Sequence, residues 1–352
     1  AAQAPLTGGQ QRFGNDLDAF LKLIEAARPA LPDDARARLE TAVEGVPYRD
    51  GLFWKAEKDG MEMVLIGTYH FTHPRHHDTV AAYGPLIDDA HLLLVEAGPE
   101  EMERMTQAMT DDPTMLTDPD GPTLLERMGP EKWEAVSRVL ADRGIPGIFA
   151  SKMRPWYVAM MMGISPCMLK QAADAGGPDG LDQMLIDRAQ VAGTPVAALE
   201  PWDTVFTLFT EMTPQEEIDM ILFNLPAADH ADDYAQTLID AYFAEDVWSL
   251  MEFARLDALE NGGLTPEQVD AQFAIAEDKL MVGRNRDWIG RLTDAAGEAA
   301  ARDSHVVAGF GALHMPGEDG VLNLLDRAGW TLTRLPSPVP QDQPEEASAP
   351  CR

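Results

Sequence analysis

The chain runs to 352 residues, 45% of them apolar, enough to bury about three quarters of its unfolded surface as one large domain or two small ones without covalent staples. Its 27 basic and 59 acidic residues leave a net charge of -32, which repels phosphate backbones and anionic lipid surfaces and argues against nucleic acid as a partner. The most apolar stretch, Val158 to Cys167, falls short of the roughly 18 residues that a bilayer span needs, so no transmembrane segment is expected in this sequence.

The first residues, Ala1-Ala2-Gln3-Ala4, read as the small-residue remnant of a signal-peptidase site, which sets the expectation of a periplasmic or secreted protein. Residues 1–50 read as an N-terminal helical segment. Asn15 caps a run in which Leu17, Phe20, Leu21 and Ile24 recur at helical spacing up to Pro29, and a second short helix is expected from Pro32 toward Val43. After Gly51 the pattern changes: Leu52-Phe53-Trp54 and Met63-Val64-Leu65-Ile66, separated by Lys58-Asp59-Gly60, read as a hairpin.

Four short apolar runs carry β character, and each ends on a residue able to do chemistry. Val64 to Gly67 precedes His70, Leu92 to Val95 precedes Glu96, Val196 to Leu199 ends before Glu200, and Val306 to Gly311 precedes His314. Runs this apolar on both faces suit central, largely parallel strands, whose C-terminal ends form the usual ligand crevice of open α/β sheets. The fold class expected over residues 51–335 is therefore α/β, a mixed but largely parallel sheet covered by helices. Helical insertions are expected at about 101–190 and 213–300, with N-caps at Thr213 before Pro214 and Glu216 and at Thr265 before Pro266 and Glu267. The Pro-, Gln-, Glu- and Ser-rich tail, residues 336–352, is expected to be extended or disordered unless Cys351 ties it down. The two cysteines, Cys167 and Cys351, allow one bridge in an oxidising compartment, while the apolar setting of Cys167 equally suits a buried thiol.

Two tetrapeptides stand out, Gly67-Thr68-Tyr69-His70 and Gly311-Ala312-Leu313-His314, each a glycine at a strand end with a histidine three residues on. Neutral imidazole is the commonest metal ligand. A single such motif is weak, because a strand-end histidine is more often a hydrogen-bonded polar group; two copies together with two strand-terminal glutamates carry more. His73, His76 and His77 crowd behind His70 in what reads as a loop, and they are expected to be exposed or to stand behind the ligand rather than to form a metal box. The run Met160-Met161-Met162 reads as core packing or a pliable apolar wall, suited to a groove for apolar peptide side chains.

These motifs, with several further segments, resemble the TraB/GumN family, to which the animal Tiki proteases are related. Gly51-Leu52-Phe53-Trp54 with Lys58-Asp59-Gly60 is similar to its opening hairpin, Leu94-Val95-Glu96 to its glutamate-bearing strand, and Gly180-Leu181-Asp182 through Leu199-Glu200 to its middle segment. Arg284-Asn285-Arg286-Asp287-Trp288 is similar to its arginine-bearing helix, and Gly311 to Gly329 to its closing block. The resemblance implies a fold related to erythromycin-esterase-like and ChaN-like proteins, and a divalent-metal-dependent hydrolase, most directly a peptidase acting on a peptide or protein. It implies His70, His314 and Glu96 as metal ligands, with manganese, cobalt or zinc all compatible with that donor set. Glu96 is read as ligand or base and Glu200 as the other, unless Glu200 merely caps a helix or pairs with Arg284. Arg284 is read as a catalytic donor to a developing oxyanion or as the grip on a substrate carboxylate, against the plainer reading of an ion pair. Tyr69 and Asn285 are secondary substrate-binding candidates, Tyr69 with a core role as its plainer reading. The alternative to catalysis is a cell-envelope protein that captures a peptide or haem in the same pocket.

Overall fold

The structure, a computed structural model, describes residues 35–175, 180–209, 212–262 and 265–338. The helix expected between Asn15 and Pro29 and all of the tail beyond residue 338 lie outside the described residues.

The expected hairpin is the first sheet element. β1 (Phe53–Lys58) and β2 (Met61–Thr68) pair antiparallel from Phe53↔Ile66 to Lys58↔Met61. Asp59 and Gly60 join them with φ of 49° and 81°, the left-handed pair that a two-residue turn needs to match strand twist. β3 (Leu92–Val95), β4 (Val196–Ala198) and β5 (Val306–Gly311) follow the apolar runs read in the sequence. The six-stranded sheet has the order β4-β3-β5-β2-β1-β6. Parallel pairing links β2 to β5, β5 to β3 and β3 to β4. The sixth strand, β6 (Thr331–Arg334), pairs antiparallel with β1 at the edge. It escaped the sequence reading because Thr331-Leu332-Thr333-Arg334 is mostly exposed and has no apolar run to betray it.

Side chains of the central strands alternate between two apolar layers, as a period of two demands. Val64, Ile66, Leu93, Val95 and Val307 share one cluster with Ile87, Leu185 and Tyr242 from the helices His76–Asp88, Leu181–Ala192 and Ala231–Phe243. Met63, Leu65, Leu94, Ala308 and Phe310 share the other with Trp288, Leu292 and Leu325 from Gly283–Ala300 and Val321–Arg327. Burial on both faces is why these strands read as unbroken apolar runs.

The helical insertions build a core of their own, in which Leu140, Val158 and Met162 meet Ile218 and Ile221. Buried Arg143 donates to the carbonyls of Val139, Met162 and Ile164, satisfying acceptors left at helix ends. Thr213 and Thr265 are N-caps as expected, each closing a capping box, with Glu216 and Gln268 respectively. The helix Pro266–Glu277 does not stop at its C-cap; it runs through a π-helical turn, Asp278–Val282, into Gly283–Ala300. On the far side, Leu39 and Val43 of the helix Ala35–Val43 pack against Phe253 and Leu256.

Candidate functional site

Because β2, β3, β4 and β5 are parallel, their C-terminal ends open on one edge of the sheet, where α/β proteins place ligands. His70 follows β2 by two residues, Glu96 follows β3 directly, Glu200 follows β4 by two and His314 follows β5 by three. Four segments distant in sequence thus deliver two imidazoles and two carboxylates to one edge of the sheet.

His70 is held by Asp182. Its Nδ1 lies 2.8 Å from Asp182 Oδ2, and the other carboxylate oxygen accepts from Thr68 Oγ1 at 2.5 Å. Asp182 belongs to the first turn of the helix Leu181–Ala192, which passes so close to β2's end that a Cβ at Gly180 would sit 2.3 Å from the His70 carbonyl carbon. Only glycine fits there, and the approach lets Leu181 N–H donate to the Tyr69 carbonyl at 3.0 Å. Asp182 raises His70 to about 9, against the opposing pull of burial and with help from Glu96. The ring nonetheless has 59% of its side-chain surface open to the crevice.

His314 is set differently. Its Nδ1 contacts Asn285 Oδ1 at 2.6 Å, and Asn285 Nδ2 donates to the Asp319 carbonyl at 2.9 Å, which orients the amide so that its oxygen faces the ring. Nδ1 is therefore the protonated nitrogen and Nε2 the acceptor, receiving Arg284 Nη1 at 3.2 Å. Burial, reinforced by Arg284 and His70 and opposed by Glu96, lowers His314 to about 4. It is neutral at physiological pH.

Arg284 stands at the centre. Its Nε and Nη2 donate to the two oxygens of Glu200 at 2.8 Å each, Nη2 also to Glu96 Oε2 at 2.6 Å, and Nη1 to the Leu280 carbonyl at 3.0 Å as well as to His314. All five guanidinium N–H groups have partners within the chain. Glu96 Oε1 accepts the Gly311 amide at 2.6 Å. Burial pushes Glu96 up, but His314, His70, Arg284 and that amide outweigh it and hold the carboxyl at about 2. Since His314 is uncharged above about 4, the pull at neutral pH comes from His70, Arg284 and the amide. Glu200, which also accepts from Trp288 Nε1 at 3.2 Å, is raised by burial in spite of Arg284.

The donor set fits a divalent cation in chemistry. A Cβ built on Gly311 would lie 3.1 Å from Glu96 Oε1, 3.3 Å from His70 Nε2 and 3.6 Å from His314 Cδ2, so one small space touches all three groups. Each imidazole has its Nδ1 committed to a side-chain oxygen behind it, which leaves Nε2 for the crevice, as metal-ligating histidines are held. The three are neighbours and not a closed cage: among the described residues no group of three His, Cys, Asp or Glu is already gathered to hold a metal. A cation there would compete with Arg284 Nη1 for the His314 lone pair.

The structure also places the remaining candidate residues. Tyr69 is 6% exposed, with its hydroxyl directed at Met168 Sδ and its ring packed on Phe71 and Tyr242, and together with those two rings it lines the cavity above His70. Asn285 is 2% exposed and spends its amide on His314 and Asp319, while Arg284 lines the cavity above His70 with its N–H groups engaged by Glu96, Glu200, His314 and the Leu280 carbonyl. Glu200 takes the ion-pair reading with Arg284 and reaches the crevice only through it. His76 does not lie in a loop; it opens the helix His76–Asp88, and it and His73 are buried beside Phe243, while His77 is exposed. Burial, with His76 and Arg75 nearby, lowers His73 to about 3. Cys167 is disulfide-bonded, and the other cysteine, Cys351, lies outside the described residues. Asp182 and Trp288 were missed. For Asp182 the signal was present in Gly180-Leu181-Asp182, a glycine leading into an acidic first helical turn.

Among the described residues no helix is long and apolar enough to cross a membrane. No curated protein matches the chain. The pattern of the TraB/PrgY/gumN family, however, matches residues 52–334, a span that takes in β1 to β6 and every residue of the crevice. The chain therefore belongs to the TraB/PrgY/gumN family.

Proposed function

We propose that the crevice is the active site of a divalent-metal-dependent hydrolase, most directly a peptidase. One observation carries this reading: two imidazoles from separate strands, each anchored through Nδ1, converge with a buried carboxylate on the small space beside Gly311. His70, His314 and Glu96 are the residues that would hold manganese, cobalt or zinc, and such an ion supplies a Lewis acid for a scissile carbonyl and lowers the pKa of water.

The rest falls to the chain's own groups. Glu96 is kept ionised at physiological pH, ready to bind a cation or to accept a proton. His314 is kept neutral with its lone pair turned inward. His70 must shed the proton that Asp182 stabilises before it can act as a ligand. Arg284 holds Glu96, Glu200 and His314 in register, and Trp288 backs it, its ring 5.0 Å from the guanidinium carbon. A periplasmic or secreted location belongs to the same proposal, and the disulfide at Cys167 accords with an oxidising compartment.

The test is metal analysis of protein purified without chelator, followed by mass-spectrometric screening of a peptide library. Cleavage that chelator removes, that added manganese, cobalt or zinc restores, and that His70→Ala and His314→Ala each reduce at least a hundredfold supports the proposal. Cleavage indifferent to both substitutions overturns it. Stoichiometric capture of peptide or haem without turnover would favour the binding alternative.

A further inference from the structure

The crevice floor opens into a cavity of about 460 Å³, bounded below by His70, Gly311, Arg284 and His314. Its walls are mostly apolar, with Leu238, Val247, Met251, Phe273 and Met281 beside the rings of Tyr69 and Tyr242. A second cavity of about 360 Å³ adjoins it, walled by Trp156, Ala159, Met160, Phe209, Met212 and Ile275. Four residues line both, namely Phe223, Gln272, Ala276 and Leu280. Gln272, Ala276 and Leu280 are spaced i, i+4, i+8 and so form one ridge of the helix that continues through the π turn. That ridge, facing Phe223, is the partition. On one side of it Phe273, Met281 and Arg284 face the histidines, and on the other Ile275 and Lys279 face the second lobe.

The lining is at odds with the rest of the molecule. In a chain with 59 acidic residues, no aspartate or glutamate lines either lobe among the described residues. The second lobe's polar members are Asn224, Gln272 and Lys279, and Asn224 donates its amide to the Met220 carbonyl at 2.9 Å. A cationic substrate would meet Lys279 and no carboxylate; an anionic one would lose hydration against walls of Met, Phe and Leu, and the cation of the second lobe, Lys279, already acts on Glu216. Each lobe lies within the roughly 300–1,000 Å³ of ordinary ligand pockets, large enough for a bulky side chain.

Resting on the hydrolase reading, we infer that the substrate is a peptide segment carrying two bulky uncharged side chains. One lies next to the cleaved bond, in the lobe above His70 and His314. The other lies further along the segment, across the Gln272–Ala276–Leu280 ridge in the lobe beside Met160. Met251 and Met160 are the specificity residues of the two lobes.

The test uses hexapeptides with a quenched fluorophore, carrying Phe or Leu at both positions, or Asp or Lys at one of them. With the wild-type, metal-loaded protein the doubly apolar peptides should be cleaved with kcat/KM about tenfold or more above either singly charged set. Met251→Asp should erase the preference at the position beside the bond, and Met160→Asp the preference at the distant one, each chiefly through KM. Equal cleavage of apolar and charged peptides overturns the inference while leaving the hydrolase reading intact, as does loss of preference at the same position in both variants. If nothing is cleaved by any protein, the hydrolase reading fails, and dansylated forms of the same peptides are titrated against the wild type. Tighter binding of the apolar set then still supports the two lobes, and equal binding overturns them.

Discussion

The ring of His314 meets Asn285 through a single 2.6 Å contact between Nδ1 and the amide oxygen, and that contact decides which nitrogen faces the crevice. Asn285 cannot present its NH₂ group instead, because that group is spent on the Asp319 carbonyl. Asn285→Ala should therefore leave a buried N–H without an acceptor, at about 1–3 kcal/mol of stability, and free the ring to turn. Metal affinity should fall about 10–100-fold, measured by titration calorimetry with manganese or zinc. Unchanged affinity in a folded variant would show that the amide does not orient a ligand.

Asp182 governs the pH response of His70. The folded value of about 9 lies above the ordinary value of 6.5, so the Asp182 contact stabilises the fold fully below about 6.5 and ceases to do so as pH rises through 9. His314 runs the other way: with a folded value of about 4, the advantage of burying it neutral is complete above about 6.5 and declines as pH falls toward 4. In chelator-treated protein, Asp182→Asn should lower the midpoint of His70 titration by NMR and flatten only the alkaline limb of the stability curve. An unchanged midpoint would remove Asp182 from its assigned role.

Arg284 lies between Glu96 and Glu200, with all three side chains about one-sixth exposed or less. Arg284→Met should cost about 3–5 kcal/mol, since it leaves two buried carboxylates unpaired. Adding Glu200→Gln should return part of that loss by removing one stranded charge. Urea denaturation at pH 7 measures both. Arg284→Lys should not rescue, because an ammonium lacks the planar fork that reaches Glu96, Glu200 and His314 at once.

Two glycines separate space from function. Gly180→Ala should destabilise strongly, because the new Cβ would overlap the His70 backbone at 2.3 Å, where nothing can yield. At Gly311 the nearest atoms are side-chain tips, Glu96 Oε1 at 3.1 Å and His70 Nε2 at 3.3 Å. Gly311→Ala should fold with a modest loss and bind manganese at least tenfold more weakly, because its methyl intrudes between the proposed ligands. Thermal melts with and without metal distinguish the two: only the second variant should melt close to the wild type while losing its metal-induced shift.

What could be read in advance was what a short window contains. Asp59-Gly60 encodes its turn within two residues, and Leu92–Val95 and Val306–Gly311 declare buried strands by being apolar on both faces. His70, Glu96, Glu200 and His314 announce themselves by following such runs. β6 was invisible because its pairing with β1, and not its own exposed residues, makes it a strand. His76 was misread because its burial is imposed by Tyr242 and Phe243, more than 160 positions away.

Local composition and periodicity thus settled the class of fold and five of its six strands, and pointed to four candidate reactive groups at the strand ends. Which of them meet was decided only when the chain closed. Asp182 comes to His70 from 112 positions away and Arg284 to Glu96 from 188, and Asn285 meets His314 across 29. Hydrogen-bond partners and burial are properties of packing between distant segments, and no window of neighbouring residues carries them.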